Sequence, residues 1–242
     1  MIERQRSLTD PHQVRPTIGY LAPAIHSANN LAQWTGVVDA ARKHDVNLIG
    51  FPGWGLHDPR GFQAQANILY DLVDPQNVDG IIAWFSSIGN YVESDAINAF
   101  RQRYQHLPVV SIGRTFAGTP SLLMDSYQGM REAIVHLIES HGCQRICFIR
   151  GPENHFYAQE RYRAYVETLE AYGLPFDARL VTPPLDWSRE TGAAVMRILL
   201  DERKLRPQRD FEAIASANDD LLLGGLAVGG GVVRGVVGGV VL

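Results

Sequence analysis

The sequence predicts an α/β fold built on parallel sheets, and three observations support this prediction. From Pro16 onward, short apolar runs rich in β-branched residues alternate with longer segments of helical period. This is the pattern of strands joined by crossover helices. Gly, Pro or Asn bounds each run, as expected where elements end. The turn-like segment 114–120 (RTFAGTP) interrupts the alternation once, so we expect two lobes.

The first lobe is assigned to residues 16–116, after an N-terminal extension at 1–15. Its strands are short apolar runs and are expected at 17–21, 47–51, 80–85 and 108–112. Its helices have apolar residues at three- and four-residue spacing and are expected at 31–44, 61–73 and 93–104. Strand and helix therefore alternate throughout this lobe.

The second lobe is assigned to residues 117–228 and repeats the alternation. Its strands are expected at 121–124, 145–149, 180–182 and 213–217. Its helices are expected at 127–140, 158–172 and 187–203, with a further one starting near Asp219. Gly173 follows the second of these helices in the favoured left-handed C-cap position.

The last stretch, 229–242, is anomalous. The text from Val228 reads VGGGVVRGVVGGVVL, and Gly and Val are poor helix formers, so the preceding helix is expected to fail there. Gly/Val monotony suggests a frameshift, which we state as a hypothesis. Sequencing the source DNA tests it, and an uninterrupted reading frame would reject it.

Composition narrows the function. The chain has 22 Lys and Arg against 26 Asp and Glu, a net charge of −4, so it has no sequence-wide attraction for nucleic acid or anionic lipid. Residues 1–15 contain no apolar run, so neither a signal peptide nor a membrane anchor is expected. Cys143 and Cys147 are too few for a disulfide scaffold. A cytoplasmic location is therefore expected, without a membrane partner.

The candidate chemistry lies in loops that follow predicted strands, because ligands of open α/β sheets bind outside the carboxyl ends of the strands. In the first lobe, HSANN (26–30) and SSIGN (86–90) supply His26, Asn30 and Ser86. In the second lobe, the corresponding loops carry Asp125, RGPENHFY (150–157), LDWS (185–188) and Asn218. Hydroxyl, amide, carboxylate and aromatic groups suit a small polar molecule.

Several stretches of the second half match one known family in order. They are DSYQG (125–129), HLI (136–138), RICFI (145–149), RYRAY (161–165), DWSRETG (186–192) and NDDLLLG (218–224). Together they resemble the effector-binding domain of the LacI/GalR family, which has the periplasmic-binding-protein type I fold. The resemblance covers roughly residues 16–226, and its specificity lies in the ordered series.

The resemblance implies two Rossmann-like lobes that close on a ligand in the cleft between them. It also implies that Asp125, Arg161, Trp187 and Asn218 contact this ligand, with Arg161 as a clamp and Trp187 as a stacking wall. Asp219 is a further candidate, although capping its own helix is an equally good interpretation of this residue. A homodimer is the expected assembly.

The sequence also departs from the family. Family regulators carry a helix-turn-helix head before the first strand, whereas fifteen residues precede Pro16 here. The family's later strand after NDxxAxG is not recognisable, so the fold is expected to be incomplete at the C-terminus. Because the sequence shows no helix-turn-helix head, no direct contact with nucleic acid is expected. Headless domains of this type resemble input modules of diguanylate cyclases and histidine kinases.

We predict a non-catalytic sensor of a small molecule, with sugar or polyol as the leading ligand class, that signals by lobe closure. One alternative is a fragment of a LacI-type DNA-binding repressor, and another is an α/β enzyme on a small polar substrate. No cofactor and no metal are expected. A zinc set of His136, His141, Cys143 and Cys147 has an unusual spacing. Arg161→Ala is expected to abolish stabilisation by ligand while leaving the unliganded fold nearly intact.

Overall fold

The computed structural model describes residues 15–25, 28–229, 234–237 and 240–241. Residues 1–14 of the expected extension lie outside this description, as do 230–233, 238–239 and 242 of the anomalous stretch. The chain divides into two compact units. The first comprises residues 1–88 and 94–122, and the second comprises 89–93 and 123–242.

The first unit is a parallel sheet with crossover helices. Its elements in chain order are β1 (Thr17–Leu21), α1 (Ala28–Lys43), β2 (Asn47–Phe51), a 3₁₀ helix (Gln63–Leu72), β3 (Gly80–Ala83), α2 (Phe85–Ile88), α3 (Ser94–Gln102), β4 (Val109–Ile112) and β5 (Ser121–Leu122). The strand order is β2-β1-β3-β4-β5, and all pairs are parallel. The order reverses between β1 and β3, which is the switch point of a doubly wound sheet.

An aromatic layer packs inside the first unit. Phe100 of α3 makes edge-to-face contacts with Tyr70 and Tyr104, each with ring centroids 5.4 Å apart. All three side chains are buried. The Tyr104 hydroxyl donates to the carbonyl of Tyr70 at 2.9 Å, so the polar atom of a buried ring is satisfied.

Residues 61–73, predicted as an α-helix, form the 3₁₀ helix instead. Three residues per turn place Asn67 and Tyr70 on the same side. Both side chains bond to the loop after β2: Asn67 accepts from Trp54 N at 2.7 Å and donates to Gly55 O at 3.1 Å, and Tyr70 donates to Trp54 O at 3.2 Å. The 3₁₀ winding thus occurs together with these long-range bonds. The local periodicity of the sequence predicted a helix but gave no sign of its type.

Two further predicted strands differ in the first unit. The strand expected at 80–85 ends at Ala83, and Phe85 already begins α2. The strand expected at 121–124, which opened the second run in the sequence analysis, is β5 at Ser121–Leu122 and pairs with β4 of the first sheet. Because this strand is only two residues long, its sequence does not indicate which strand it pairs with.

The second unit repeats the arrangement. Its elements in chain order are α4 (Ser126–Glu139), β6 (Ile146–Ile149), α5 (Phe156–Ala171), a 3₁₀ turn (Ala178–Leu180), α6 (Arg189–Arg197), a π-helical turn (Ile198–Glu202), β7 (Ala213–Ser216), α7 (Asp219–Gly229), β8 (Arg234–Val237) and β9 (Val240–Val241). The order is β6-β7-β8-β9, with β9 antiparallel to β8. The predicted α/β class with parallel sheets is confirmed.

Helices α6 and α7 touch through glycine. A Cβ on Gly192 would lie 2.1 Å from the Leu221 carbonyl oxygen, and one on Gly224 would lie 2.0 Å from the Arg189 carbonyl oxygen. Real side chains cannot approach so closely, so only glycine permits this helix pair. Both glycines belong to the stretches that match the family, and this contact is their structural role.

Two expectations for the second unit need correction. The strand expected at 180–182 makes only a single parallel bridge, between Val181 and Phe148. The Asp177 side chain accepts from Arg179 N and starts a 3₁₀ turn there instead, since local side-chain bonds compete with a sheet ladder. The anomalous stretch also supplies a strand, β8, which pairs in parallel with β7.

Helix α7 extends to Gly229, so Val228, where the sequence predicts that the helix fails, is still helical. Among the described residues, the helices are too short or too polar to cross a membrane.

Candidate functional site

The five second-unit candidates lie at the carboxyl ends of the strands or on the adjoining helices. We call Asp125, Arg161, Trp187, Asn218 and Asp219 the carboxyl-edge cluster. Asn218 follows β7, Trp187 precedes α6, Asp125 precedes α4, and Arg161 lies in α5. Since the Val181 bridge flanks β6 on the side away from β7, the switch point of this sheet lies between β6 and β7.

Arg161 ties two of these segments together. Its Nη1 donates to the carbonyl of Ala217, the residue after β7, at 2.5 Å. Its Nη2 donates to Ser126 Oγ at the start of α4 at 3.2 Å. These contacts use two of the five N–H donors of the guanidinium. Burial lowers the pKa of Arg161, while Asp219 and Tyr157 raise it, so the half-buried cation is partly offset by negative charge nearby.

Asn218 has two structural bonds. Its Oδ1 accepts from Leu221 N at 2.8 Å, and its Nδ2 donates to the Trp187 carbonyl at 3.3 Å. The first bond is an N-cap, which satisfies a backbone N–H at the start of α7. The cap that the sequence offered to Asp219 is thus made by Asn218, and Asp219 is exposed in the first helical turn.

Asp125 is the N-cap of α4. Its side chain accepts from Gln128 N at 2.9 Å, and the residue is exposed. One carboxylate oxygen is engaged in this bond, and a carboxylate offers further acceptor positions. The predicted ligand residue therefore also has a helix-stabilising role.

The ring of Trp187 lies in a packed surrounding. It makes an edge-to-face contact with His155, with centroids 4.8 Å apart, and its Nε1 donates to Asn90 Oδ1 at 3.3 Å. A Cβ on Gly151, two residues after β6, would lie 2.5 Å from this ring, so a larger residue there would displace the ring. The loop is fixed by Asp186, which accepts from Ser188 N at 3.0 Å.

His155 is a buried residue that sequence reasoning missed. Its Nδ1 accepts from Ala158 N at 3.4 Å and caps α5. Burial, with a smaller contribution from the Arg161 charge, lowers the pKa of His155 to about 3. A neutral ring agrees with its role as acceptor, and its only sequence signal was its position in the loop RGPENHFY.

Three other residues were also missed. Asn90 accepts from Trp187, Ser126 accepts from Arg161, and the Tyr157 hydroxyl accepts from Met124 N at 3.0 Å. Each lies in or next to a loop that was selected from the sequence. Nothing in the sequence, however, distinguishes these side chains from their neighbours as functional residues.

The first-unit candidates flank the switch point of their own sheet. Asn30 lies in α1 after β1, and its Nδ2 donates to the carbonyls of Pro23 and Ala24 at 2.7 and 3.1 Å. Ser86 lies in α2 after β3 and is buried; its Oγ has no hydrogen-bond partner within the part of the chain that the structure describes. His26 lies outside the described residues.

The four-residue zinc set is not assembled. Cys143 and Cys147 are both buried thiols, and Cys147 belongs to the core of the second unit. Burial raises the pKa of Cys147 far above its ordinary value, which leaves it a core side chain. Within the described residues, no group of three or more His, Cys, Asp or Glu side chains is arranged to hold a metal ion.

Comparison with known proteins identifies the family. The family profile described as periplasmic binding proteins and sugar binding domain of LacI family matches residues 16–236. The chain belongs to this family. The predicted resemblance is thereby confirmed, and the family of this LacI-type domain consists of binding proteins and regulators rather than enzymes.

Among individual relatives, the HTH-type transcriptional regulator CelR of Thermobifida fusca is 36% identical over 105 residues. The matched part covers 43% of this chain and 29% of CelR. The LacI-type domain thus matches less than a third of that relative's length.

Solved structures show the same fold. CcpA of Lactococcus lactis superposes with a TM-score of 0.71 at 22% identity, covering 93% of this chain and 78% of that one. A LacI-family regulator of Mycobacterium smegmatis gives 0.70 at 26% identity, with coverages of 87% and 71%. A CelR–cellobiose complex gives 0.67 at 25% identity, with coverages of 88% and 63%.

Proposed function

We propose that this LacI-type domain binds a sugar effector and forms the sensing part of a transcriptional regulator. The family description names sugar-binding domains, the relative CelR is a transcriptional regulator, and one structural neighbour is a complex with cellobiose. The proposal places the protein in the cytoplasm, where regulators of transcription act, and as a homodimer.

One observation carries the proposal: the hydrogen bonds that link the carboxyl-edge cluster. Arg161 holds the segments that carry Asn218 and Asp125, and Asn218 holds the backbone of Trp187. Binding groups are effective when their supporting bonds fix them before the ligand arrives.

The chemistry of the cluster suits a sugar. Guanidinium N–H groups donate to hydroxyl oxygens, carboxylates accept from hydroxyl protons, and an indole stacks on the C–H face of a pyranose. Arg161, Asp125 and Trp187 supply these three kinds of group. We propose Asn30 and Ser86, which follow β1 and β3, together with His26 as the contribution of the first unit.

We propose that the signal is a change in the relative orientation of the two lobes. A ligand shifts such an equilibrium only by its difference in affinity for the two states. The cluster supplies groups that bind the sugar in the closed state, so closure and affinity are coupled.

The test is calorimetric titration of the full chain with cellobiose and a panel of mono- and disaccharides, followed by Arg161→Ala. We expect saturable binding of at least one sugar, a change in tryptophan fluorescence, and at least a tenfold loss of affinity in the variant, since a charged hydrogen bond contributes about 1.5–3 kcal/mol. Arg161→Ala also removes bonds to Ala217 and Ser126. Unlike the sequence expectation, we therefore expect a cost to the unliganded fold.

Arg163→Ala is the matched control, because Arg163 lies on the same helix but is exposed and pairs with Glu160. It should leave the affinity unchanged. Equal affinity in Arg161→Ala and the parent chain would remove Arg161 from the site. Turnover of a bound sugar would instead favour an enzyme.

A further inference from the structure

Two histidines converge at the end of α4, away from the carboxyl-edge cluster. The Nε2 atoms of His136 and His141 are 3.1 Å apart. Their rings are nearly perpendicular, at 86°, with centroids 4.8 Å apart. His136 is exposed and His141 is half-buried, so both nitrogens lie at the surface of the second unit.

The backbone fixes this arrangement. Ser140 N donates to the carbonyl of His136 at 3.0 Å, and Gly142 N donates to that of Ile138 at 2.9 Å. Gly142 has φ of +66°, the left-handed conformation that ends helices and favours glycine. The chain turns back at this residue, and His141 is thereby held beside the last helical turn that carries His136.

We propose that His136 and His141 chelate a divalent transition metal ion such as Ni²⁺, Cu²⁺ or Zn²⁺. Imidazole nitrogen is a preferred ligand for these ions, unlike Mg²⁺ and Ca²⁺, which take oxygen ligands. From the sequence no metal is expected, since these histidines are grouped there with two cysteines, and both cysteines are buried.

The distances fit a shared ion. A metal placed about 2.05 Å from both nitrogens, the usual Zn–N length, would see them at an angle of about 98° when they are 3.1 Å apart. That value lies between the square-planar and tetrahedral angles. An N–metal–N angle of this size is compatible with coordination of copper, nickel or zinc.

Ring orientation gives an independent check. If both rings point their Nε2 lone pairs at this position, their centroids should be about 4.8 Å apart, as observed. Two rings aligned along a linear N–H···N hydrogen bond of the same length would place the centroids about 5.4 Å apart. The two nitrogens are also within hydrogen-bond distance of each other. The centroid spacing excludes a linear arrangement of that bond and is compatible with convergence on one point.

The surroundings favour a cation. The carboxyl end of a helix carries partial negative charge from its last carbonyl groups, and His136 lies in the last turn of α4. With two protein nitrogens, the remaining coordination positions would be filled by water, so the ion is expected to exchange rather than to serve as a structural staple.

The experiment is titration of the full chain with Ni²⁺, followed by calorimetry, in His136→Ala, His141→Ala and the double variant. We expect one ion per chain, at least a tenfold loss of affinity in each single variant, and no further loss in the double variant. The last result is specific to a chelate, because either deletion removes the second, intramolecular contact.

His106→Ala is the control, since His106 is exposed in the first unit, and it should bind as the parent chain does. Circular dichroism of the metal-free variants checks that each folds. Unchanged Ni²⁺ affinity in both single variants, or absence of binding by the parent chain, would overturn the proposal.

Discussion

The two units are both built on parallel strands with crossover helices, but their strands are buried to different extents. Every residue of β6 and β7 is buried, as expected for parallel strands covered on both faces. In the first unit, Ile49 and Val110 are each 39% exposed and Leu122 is 65% exposed. The carboxyl-edge cluster therefore adjoins two strands, β6 and β7, that are buried along their whole length.

The helices differ in the same sense. Gly192 and Gly224 bring the backbones of α6 and α7 into direct contact, whereas a Cβ on Gly36 in α1 would meet nothing within 4 Å. The same glycine-to-alanine change therefore tests a tight helix contact in the second unit and an open helix surface in the first.

We expect Gly224→Ala to have the largest effect. Its Cβ would lie 2.0 Å from a backbone oxygen of α6, so the helices must separate, and overpacking of this kind costs about 3 kcal/mol or more. Urea unfolding followed by circular dichroism measures the loss.

Gly36→Ala is the matched change. With open space and a helical backbone, it should stabilise the first unit by about 0.5–1 kcal/mol, through lower entropy of the unfolded chain. A Gly224→Ala variant as stable as the parent chain would contradict the tight contact and weaken the contrast between the units.

Much of this fold was predictable, because hydrophobic periodicity and turn residues are local signals. Strands 17–21 and 47–51 have the predicted bounds. The failures involve long-range partners. Residues 63–72 wind as a 3₁₀ helix while bonding to the loop after β2, and β8 formed where glycine and valine gave no periodic signal but β7 offered an edge.

An intermediate effect on the free energy of unfolding is expected from His155 as the pH changes. This residue is buried in the second unit, whereas His106 in the first unit is exposed. The folded-state pKa of His155, about 3, lies below the value of about 6.5 for an unfolded histidine. The unfolded chain therefore binds more protons below pH 6.5, and stability must fall as the pH decreases. Between pH 7 and pH 5 the loss from this residue is about 2 kcal/mol.

His155→Asn separates this effect from others, because Asn keeps an N-cap acceptor but does not titrate. The slope of stability against pH should become smaller by that amount, whatever the variant's absolute stability. An identical pH dependence in the parent chain and His155→Asn would show that His155 titrates normally.

The site was predictable in part for a similar reason. Loop position and the family resemblance selected Arg161, Trp187 and Asn218. Arg161 bonds to the carbonyl of Ala217, the residue before Asn218, and Asn218 bonds to the carbonyl of Trp187. The sequence did not indicate that Asn218 rather than Asp219 caps α7, since both residue types are good N-caps and the two are adjacent. Nor could it reveal Asn90, whose bond to Trp187 spans 97 positions of the chain.

The smallest effect comes from removing one methylene group from matched isoleucines. Ile149 in β6 is fully buried and Ile49 in β2 is 39% exposed. Ile149→Val should cost about 1 kcal/mol and Ile49→Val less than about 0.5 kcal/mol, because the second leaves no cavity. The difference between their urea midpoints reports burial alone, since the chemical change is the same. Equal costs would mean that the first sheet is as fully covered as the second, and the contrast between the units would be lost.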